Sequence, residues 1–113
     1  RFHDSLEVSL NIENIPDDFQ VAPMLLIPFV ENSFKHGEII NGKLVISISI
    51  YMKDNVLFFE IKNSAKTKNE IAKGIGLVNI KKRLEMLYKD DFSLAIKYMN
   101  EQFVVNLTLM NQF

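Results

Sequence analysis

Between Leu44 and Ile61 apolar and polar side chains alternate with period two, interrupted once at Asp54-Asn55, and that pattern points to two antiparallel strands joined by a tight turn. Leu44, Ile46, Ile48 and Ile50 alternate with Val45, Ser47, Ser49 and Tyr51 before the turn, and Val56 to Ile61 returns after it. Upstream, Leu6, Val8, Leu10 and Ile12 alternate with Ser5, Glu7, Ser9 and Asn11, which predicts a half-buried first strand. Downstream, Phe92, Leu94 and Ile96, then Val104 or Val105, Leu107 and Leu109, predict two more strands around an Asn100-Glu101 turn. Two stretches of helical spacing lie between these strands. The first runs from about Pro23 to His36 and stops at Gly37, with Pro28 predicting a kink or a helix start near Ile27. The second places Val78, Ile80, Leu84, Leu87 and Tyr88 on one face and Lys81, Lys82, Arg83 and Glu85 largely outside. From Lys62 to Lys73 the chain is polar and carries four lysines, which predicts a loop. The order β-α-ββ-α-ββ implies an α+β chain, a two-layer α/β sandwich with a mixed, mostly antiparallel sheet and helices on one face.

The chain has 113 residues, enough for one domain and too few for a second. Its net charge of −1 argues against a general polyanion binder, so no nucleic-acid partner is expected and any phosphate recognition must be local. With no cysteine it has neither disulfides nor a thiolate metal site, which fits a reducing compartment and makes the cytoplasm the default expectation. No apolar run approaches the roughly 18 residues of a membrane span, and no basic-then-apolar signal segment opens the chain. A start at Arg1 in place of a methionine suggests a fragment of a longer protein.

The first helix also carries candidates for chemistry. On a wheel of about 100° per residue, Pro28, Glu31, Asn32, Lys35 and His36 share one sector, opposite Leu26, Phe29, Val30, Ser33 and Phe34. A neutral amide such as Asn32 can complete the oxygen shell of a magnesium ion whose other ligands are phosphate oxygens and waters. The bland alternative is an amide that satisfies a nearby backbone group or faces water. Lys35 lies close enough to meet a phosphate as a point charge, or else pairs with Glu31 one turn away. Glu31 is a candidate for orienting water or a proton acceptor, with an exposed ion pair as its plain role. His36 reads as a polar wall or hydrogen bonder at the helix end, since no second histidine lies within helical reach. Further along, Lys73-Gly74-Ile75-Gly76-Leu77-Val78-Asn79 sets two glycines at the start of the second helix, where free backbone amides favour an anion. Lys66, Lys68 and Lys73 add loop charge, Asn79 and then Lys82 and Arg83 are weaker candidates, and Phe58 and Phe59 read as core. Together these features suggest a magnesium-nucleotide site in a cleft between the helical layer and the loop.

The runs Pro23-x-x-x-x-Pro28-x-x-Glu31-Asn32-x-x-Lys35-His36-Gly37 and Gly74-Ile75-Gly76-Leu77-x-Asn79-x-x-x-Arg83-Leu84 resemble the ATP-binding domain of LytS-type sensor histidine kinases, across nearly the whole chain. The resemblance implies the Bergerat ATP-binding fold over residues 1–113, shared with gyrase-type ATPases. It implies that Asn32 holds Mg²⁺, that Lys35 contacts phosphate, and that Gly74, Gly76 and Leu77 support the lid and the phosphates, with His36, Lys73, Ile75 and Asn79 beside them. The adenine-reading Asp-x-Gly of the family stands here as Asn63-Ser64-Ala65, so a neutral amide replaces the usual carboxylate acceptor. Restoring an acid at Asn63 is expected to tighten adenine binding unless the cleft is rebuilt around the amide. The general-base glutamate of gyrase-type ATPases, four residues before the metal asparagine, is Pro28 here. Transfer to a histidine needs no such base, because the imidazole is itself the nucleophile.

As the resemblance has it, the chain is the ATP- and magnesium-binding catalytic domain of a two-component histidine kinase. The γ-phosphoryl group goes to a histidine on an upstream dimerisation segment of a homodimeric parent anchored in the inner membrane, and then to a response regulator. The principal alternative is a degenerate, non-catalytic nucleotide-binding or protein-interaction module on the same fold. A serine kinase on this fold is disfavoured by Pro28, which leaves no base to deprotonate a serine.

Overall fold

A computed structural model of the chain describes residues 5–16, 23–66 and 75–110. The elements are β1 (Leu6–Glu13), α1 (Pro23–His36), β2 (Leu44–Lys53), β3 (Val56–Ser64), α2 (Ile75–Tyr88), β4 (Phe92–Met99) and β5 (Gln102–Met110), the order expected from the sequence. The strands form one sheet in the order β1-β2-β3-β5-β4. β1 runs parallel to β2, and every other pairing is antiparallel. Both hairpins turn on residues with positive φ, Asp54 and Asn55 at 53° and 65° and Asn100 and Glu101 at 52° and 57°. This backbone twist matches that of the strands it joins.

One face of the sheet is the core. Leu44 and Ile46 of β2, Leu57, Phe59 and Ile61 of β3 and Phe103, Val105, Leu107 and Leu109 of β5 are buried against Leu25 and Phe29 of α1 and Leu77, Ile80 and Leu84 of α2. Phe29 and Phe59 meet with ring centroids 5.7 Å apart. Phe58, on the opposite face, stacks on Tyr51 at 4.8 Å and takes no part in that core.

Phe58, which the sequence placed in the core, is one corrected expectation, and four more follow. β1 is a strand but not a half-buried one, because Val8, Leu10 and Ile12 are exposed, Leu10 at 61%. They stand in register with Ile46, Ile48 and Ile50 on the helix-covered side, but α1 packs on α2 and β3, and α2 on β4, so neither helix spreads over the edge strand. The buried ridge of α1 is Leu25, Phe29 and Ser33, spaced four apart, while Phe34 and Ile27 face outward. In α2 the buried set is Leu77, Ile80 and Leu84, with Val78 and Leu87 exposed. Finally, α1 does not start near Ile27 but runs from Pro23 past Pro28. The lost hydrogen bond and the ring clash cost about 3 kcal/mol, and the burial of Leu25 and Phe29 on either side offsets them.

Gly37 ends α1, its N–H donating to the Ser33 carbonyl at 2.9 Å. Its φ is not among the positive ones, so room and not handedness requires glycine. A Cβ there would lie 2.5 Å from Leu44 Cδ1, 2.7 Å from the Ser33 carbonyl oxygen and 3.5 Å from Asn63 Cβ. The leucine methyl can yield, but the carbonyl of the helix end cannot. Gly37→Ala is therefore expected to destabilise the fold by about 1–3 kcal/mol. A urea unfolding midpoint equal to that of the parent protein would show that the two segments separate freely.

Candidate functional site

The close approach at Gly37 brings the last turn of α1, which carries Lys35 and His36, against the end of β3, which carries Asn63. Asn32 is half-buried on the flank of the α1 ridge, and among the described residues no hydrogen bond engages its amide. Of the two plain roles, an amide spent on a backbone group is not what the helix contains, and an amide that faces water stands beside the metal role. Its oxygen is therefore available, which fits a hard cation that takes one protein oxygen and completes its shell elsewhere. Among the described residues no group of three or more His, Asp or Glu side chains is gathered for a metal. Lys35 and Glu31 are exposed, and no ion pair joins them. The Lys35 ammonium is thus free to meet an anion. The helix also ends on Lys35 and His36, where cations complement its dipole.

Burial pushes the half-buried His36 imidazole below its ordinary value of 6.5, and the Lys35 ammonium lowers it further. The native chain then binds fewer protons at this site than the unfolded chain. Its contribution to stability is whole above about pH 6.5 and is lost as pH falls through the lower native value. Between about pH 7 and pH 5.5 the urea midpoint is expected to fall less in His36→Gln, which stays neutral throughout, than in the parent protein. Equal falls in the two proteins would place the pH dependence elsewhere.

The sequence assigned Asn63 to a loop, but it lies inside β3, paired with Ile46 and Phe103 on the helix-facing side and 2% exposed. Its Nδ2 donates to the Ser64 carbonyl at 3.2 Å. Around it the segment is tied down. The Glu38 N–H donates to the Ser64 carbonyl at 2.8 Å, the Ser64 hydroxyl donates to the Glu38 carbonyl at 2.7 Å, and the Val45 N–H donates to that hydroxyl at 3.0 Å. The Lys66 N–H donates to the Glu38 carboxylate at 2.7 Å. Ala65, 1% exposed, donates to the Glu101 carbonyl at 3.0 Å and accepts from the Tyr98 hydroxyl at 2.9 Å. Glu38 and Tyr98 were not legible as site residues, since their role is set by contacts distant in sequence.

Lys68, Lys73 and Gly74 lie outside the described residues, and so does most of the loop expected to close the cleft. Ile75 and Gly76 form the first turn of α2, where backbone amides have no partner within the helix. The Leu77 side chain is buried in the core, which leaves only its backbone to a ligand. Asn79 is exposed one turn on. A cavity of about 150 Å³ lies on the open sheet face between Tyr51, Phe58, Glu60 and Asn106, away from these residues.

No family model matches the chain. Over 96% of its length it is similar to the sensor protein LytS of Oceanobacillus iheyensis, with 32% identity over 126 aligned positions. The chain spans only 22% of that relative. Its fold is similar to the catalytic domain of histidine kinase ThkA, with a TM-score of 0.70 and 16% identity, covering 94% of this chain and 78% of that one. ThkA in complex with the response regulator protein TrrA gives a TM-score of 0.66 at 16% identity, over 92% of this chain and 34% of that one. Full-length ShkA in complex with AMPPNP gives 0.66 at 12% identity, over 95% of this chain and 26% of that one.

Proposed function

This chain belongs to the histidine kinase catalytic (GHKL) domain family, and from that premise we propose that residues 1–113 are the Mg-ATP-binding domain of a longer two-component sensor kinase. Its reaction is transfer of the ATP γ-phosphoryl group to a histidine on an upstream dimerisation segment of the same parent chain. The observation that carries the reading is the junction of α1 with β3: α1 carries Asn32, with an unengaged amide, and Lys35, with an unpaired ammonium, and at its end Gly37 closely approaches the buried Asn63 of β3. The nucleotide-bound and regulator-bound forms of ShkA and ThkA support the same reading by fold.

In this account Asn32 supplies the one protein oxygen to magnesium, and the metal, when bound, neutralises the charge of the phosphate oxygens. Lys35 contacts phosphate from the same helix face, with His36 as a polar wall. Glu31 stands by to orient a water or the acceptor. The backbone of Gly74, Ile75, Gly76 and Leu77, with Lys73 and Asn79 beside it, receives phosphate at the start of α2. Asn63 reads the base. The domain holds ATP in place while the acceptor imidazole attacks, so positioning and charge carry the rate, and the lack of a base at Pro28 costs nothing. A response regulator is the next acceptor, and the parent is a homodimer anchored in the inner membrane. Among the described residues no helix is long and apolar enough to cross a membrane.

The degenerate module on the same fold is motivated by the neutral Asn63 and by Ala65, whose methyl fills the core where the family has glycine. Mixing the chain with a polypeptide carrying the parent's upstream segment and radiolabelled ATP separates the two. Acid-labile, base-stable label on the segment is the expected result. ATP binding with no label transferred to any histidine would support the degenerate module.

A further inference from the structure

On the sheet face away from the helices, two neighbouring rows cross the three central strands in register. One is Ser49, Glu60 and Asn106, and the next is Tyr51, Phe58 and Thr108. These six side chains line the cavity of about 150 Å³. Tyr51 and Phe58 stack with ring centroids 4.8 Å apart and 14° between their planes, which takes one face of each ring. Among the described residues no hydrogen bond engages the Ser49 or Thr108 hydroxyl or the Asn106 amide. The Glu60 carboxylate has only the Lys62 ammonium, 3.8 Å away and itself outside the lining. A pair that long and that exposed holds neither partner firmly.

Charge and shape together select what this cavity takes. Its one ionised group, Glu60, is negative, and the ring faces of Tyr51 and Phe58 carry the negative side of their quadrupoles, so anions are repelled and a cation is favoured. A single carboxylate is too few for a metal ion, and among the described residues no ligand cluster is gathered for one. The polar groups all offer acceptors: a carboxylate, two hydroxyl oxygens and an amide oxygen. A guanidinium answers each of these features, being flat, weakly hydrated and donor-only with five N–H groups. Successive rows on one sheet face lie about 7 Å apart, so a group laid against the rings reaches the Glu60 carboxylate. We propose that this face is a docking site for an arginine side chain of a partner polypeptide, held between the Tyr51-Phe58 pair and the Glu60 carboxylate. The lining has no cation to receive the carboxylate of a free amino acid, which is why the occupant is a side chain on a polypeptide. Because Asn63 and α1 lie on the other side of the sheet, the site is open whether or not nucleotide is bound, and the inference stands apart from the nucleotide reading.

N-acetyl-arginine amide is titrated into the chain and followed by NMR, beside its citrulline counterpart, which keeps the plane without the charge, and its lysine counterpart, which keeps the charge without the plane. The arginine compound is expected to bind in the millimolar range, as a single side chain on an open face does, with shifts concentrated on the six lining residues. The citrulline compound is expected to bind about tenfold more weakly, and the lysine compound about threefold more weakly. In Glu60→Gln the affinity for the arginine compound falls about tenfold, and in Tyr51→Leu about threefold, with the circular dichroism of the parent protein retained. Equal binding of the arginine and citrulline compounds overturns the proposal. So does unchanged affinity in a folded Glu60→Gln, and so do shifts that miss the lining residues or fail to appear with the compound in large excess. A lysine compound that binds as tightly as the arginine one overturns the assignment to a guanidinium. The comparison of arginine with citrulline uses the parent protein alone, so it decides the question even where a substitution unfolds the sheet.

Discussion

Asn32→Ala is expected to lose about a hundredfold or more in magnesium-dependent affinity for ATP while the chain stays folded. The two halves of that expectation have separate physical grounds. The amide makes no hydrogen bond among the described residues and is only half-buried, so its removal leaves no orphaned partner there and opens little cavity. Its oxygen is, in contrast, the proposed ligand to magnesium, and magnesium tolerates few departures from its octahedral shell. The variant is measured beside the parent protein by calorimetry with and without magnesium, with far-ultraviolet circular dichroism as the control for folding. Unchanged affinity in a folded variant would remove Asn32 from the site.

Phe29→Ala has the opposite profile. The ring is 1% exposed, lies 5.7 Å from Phe59 and sits between Leu25 and Ser33 on the ridge that joins α1 to the sheet. Truncating a buried aromatic costs about 3–5 kcal/mol, a large part of the roughly 5–15 kcal/mol that holds a domain of this size. A fall in thermal midpoint of about 10–25 °C is expected in a calorimetric scan. A fall of less than a few degrees would mean that α1 is held elsewhere and that its burial against β3 contributes little.

The hairpins, the element order and the span of α1 were legible because each rests on local chemistry: period-two alternation, turn residues that accept positive φ, and a glycine at a helix end. Which residues of a helix face inward was less legible. Leu77 and Val78 are both apolar neighbours, and a wheel cannot choose between them until the sheet fixes the rotation of α2; the same ambiguity put Phe34 on the wrong side of α1. The exposure of Val8, Leu10 and Ile12 depends on how far two helices extend across five strands, which no local pattern encodes. Of the site, Asn32 and Lys35 stood out because polar groups broke an apolar helix. The strand setting of Asn63 was missed because Lys62, Asn63 and Ser64 read as the start of a polar loop. They continue the alternation of β3 instead, with a polar side chain at an inward position. That interruption was the available signal. The role of Glu38 had none, since it is made by contacts with Ser64 and Lys66 more than two dozen residues away.

The most direct test of the central claim is a calorimetric titration of the chain with a non-hydrolysable ATP analogue, with and without magnesium. A single site whose affinity depends on magnesium is the predicted result. No heat of binding at millimolar nucleotide, from a chain that circular dichroism shows to be folded, would contradict it.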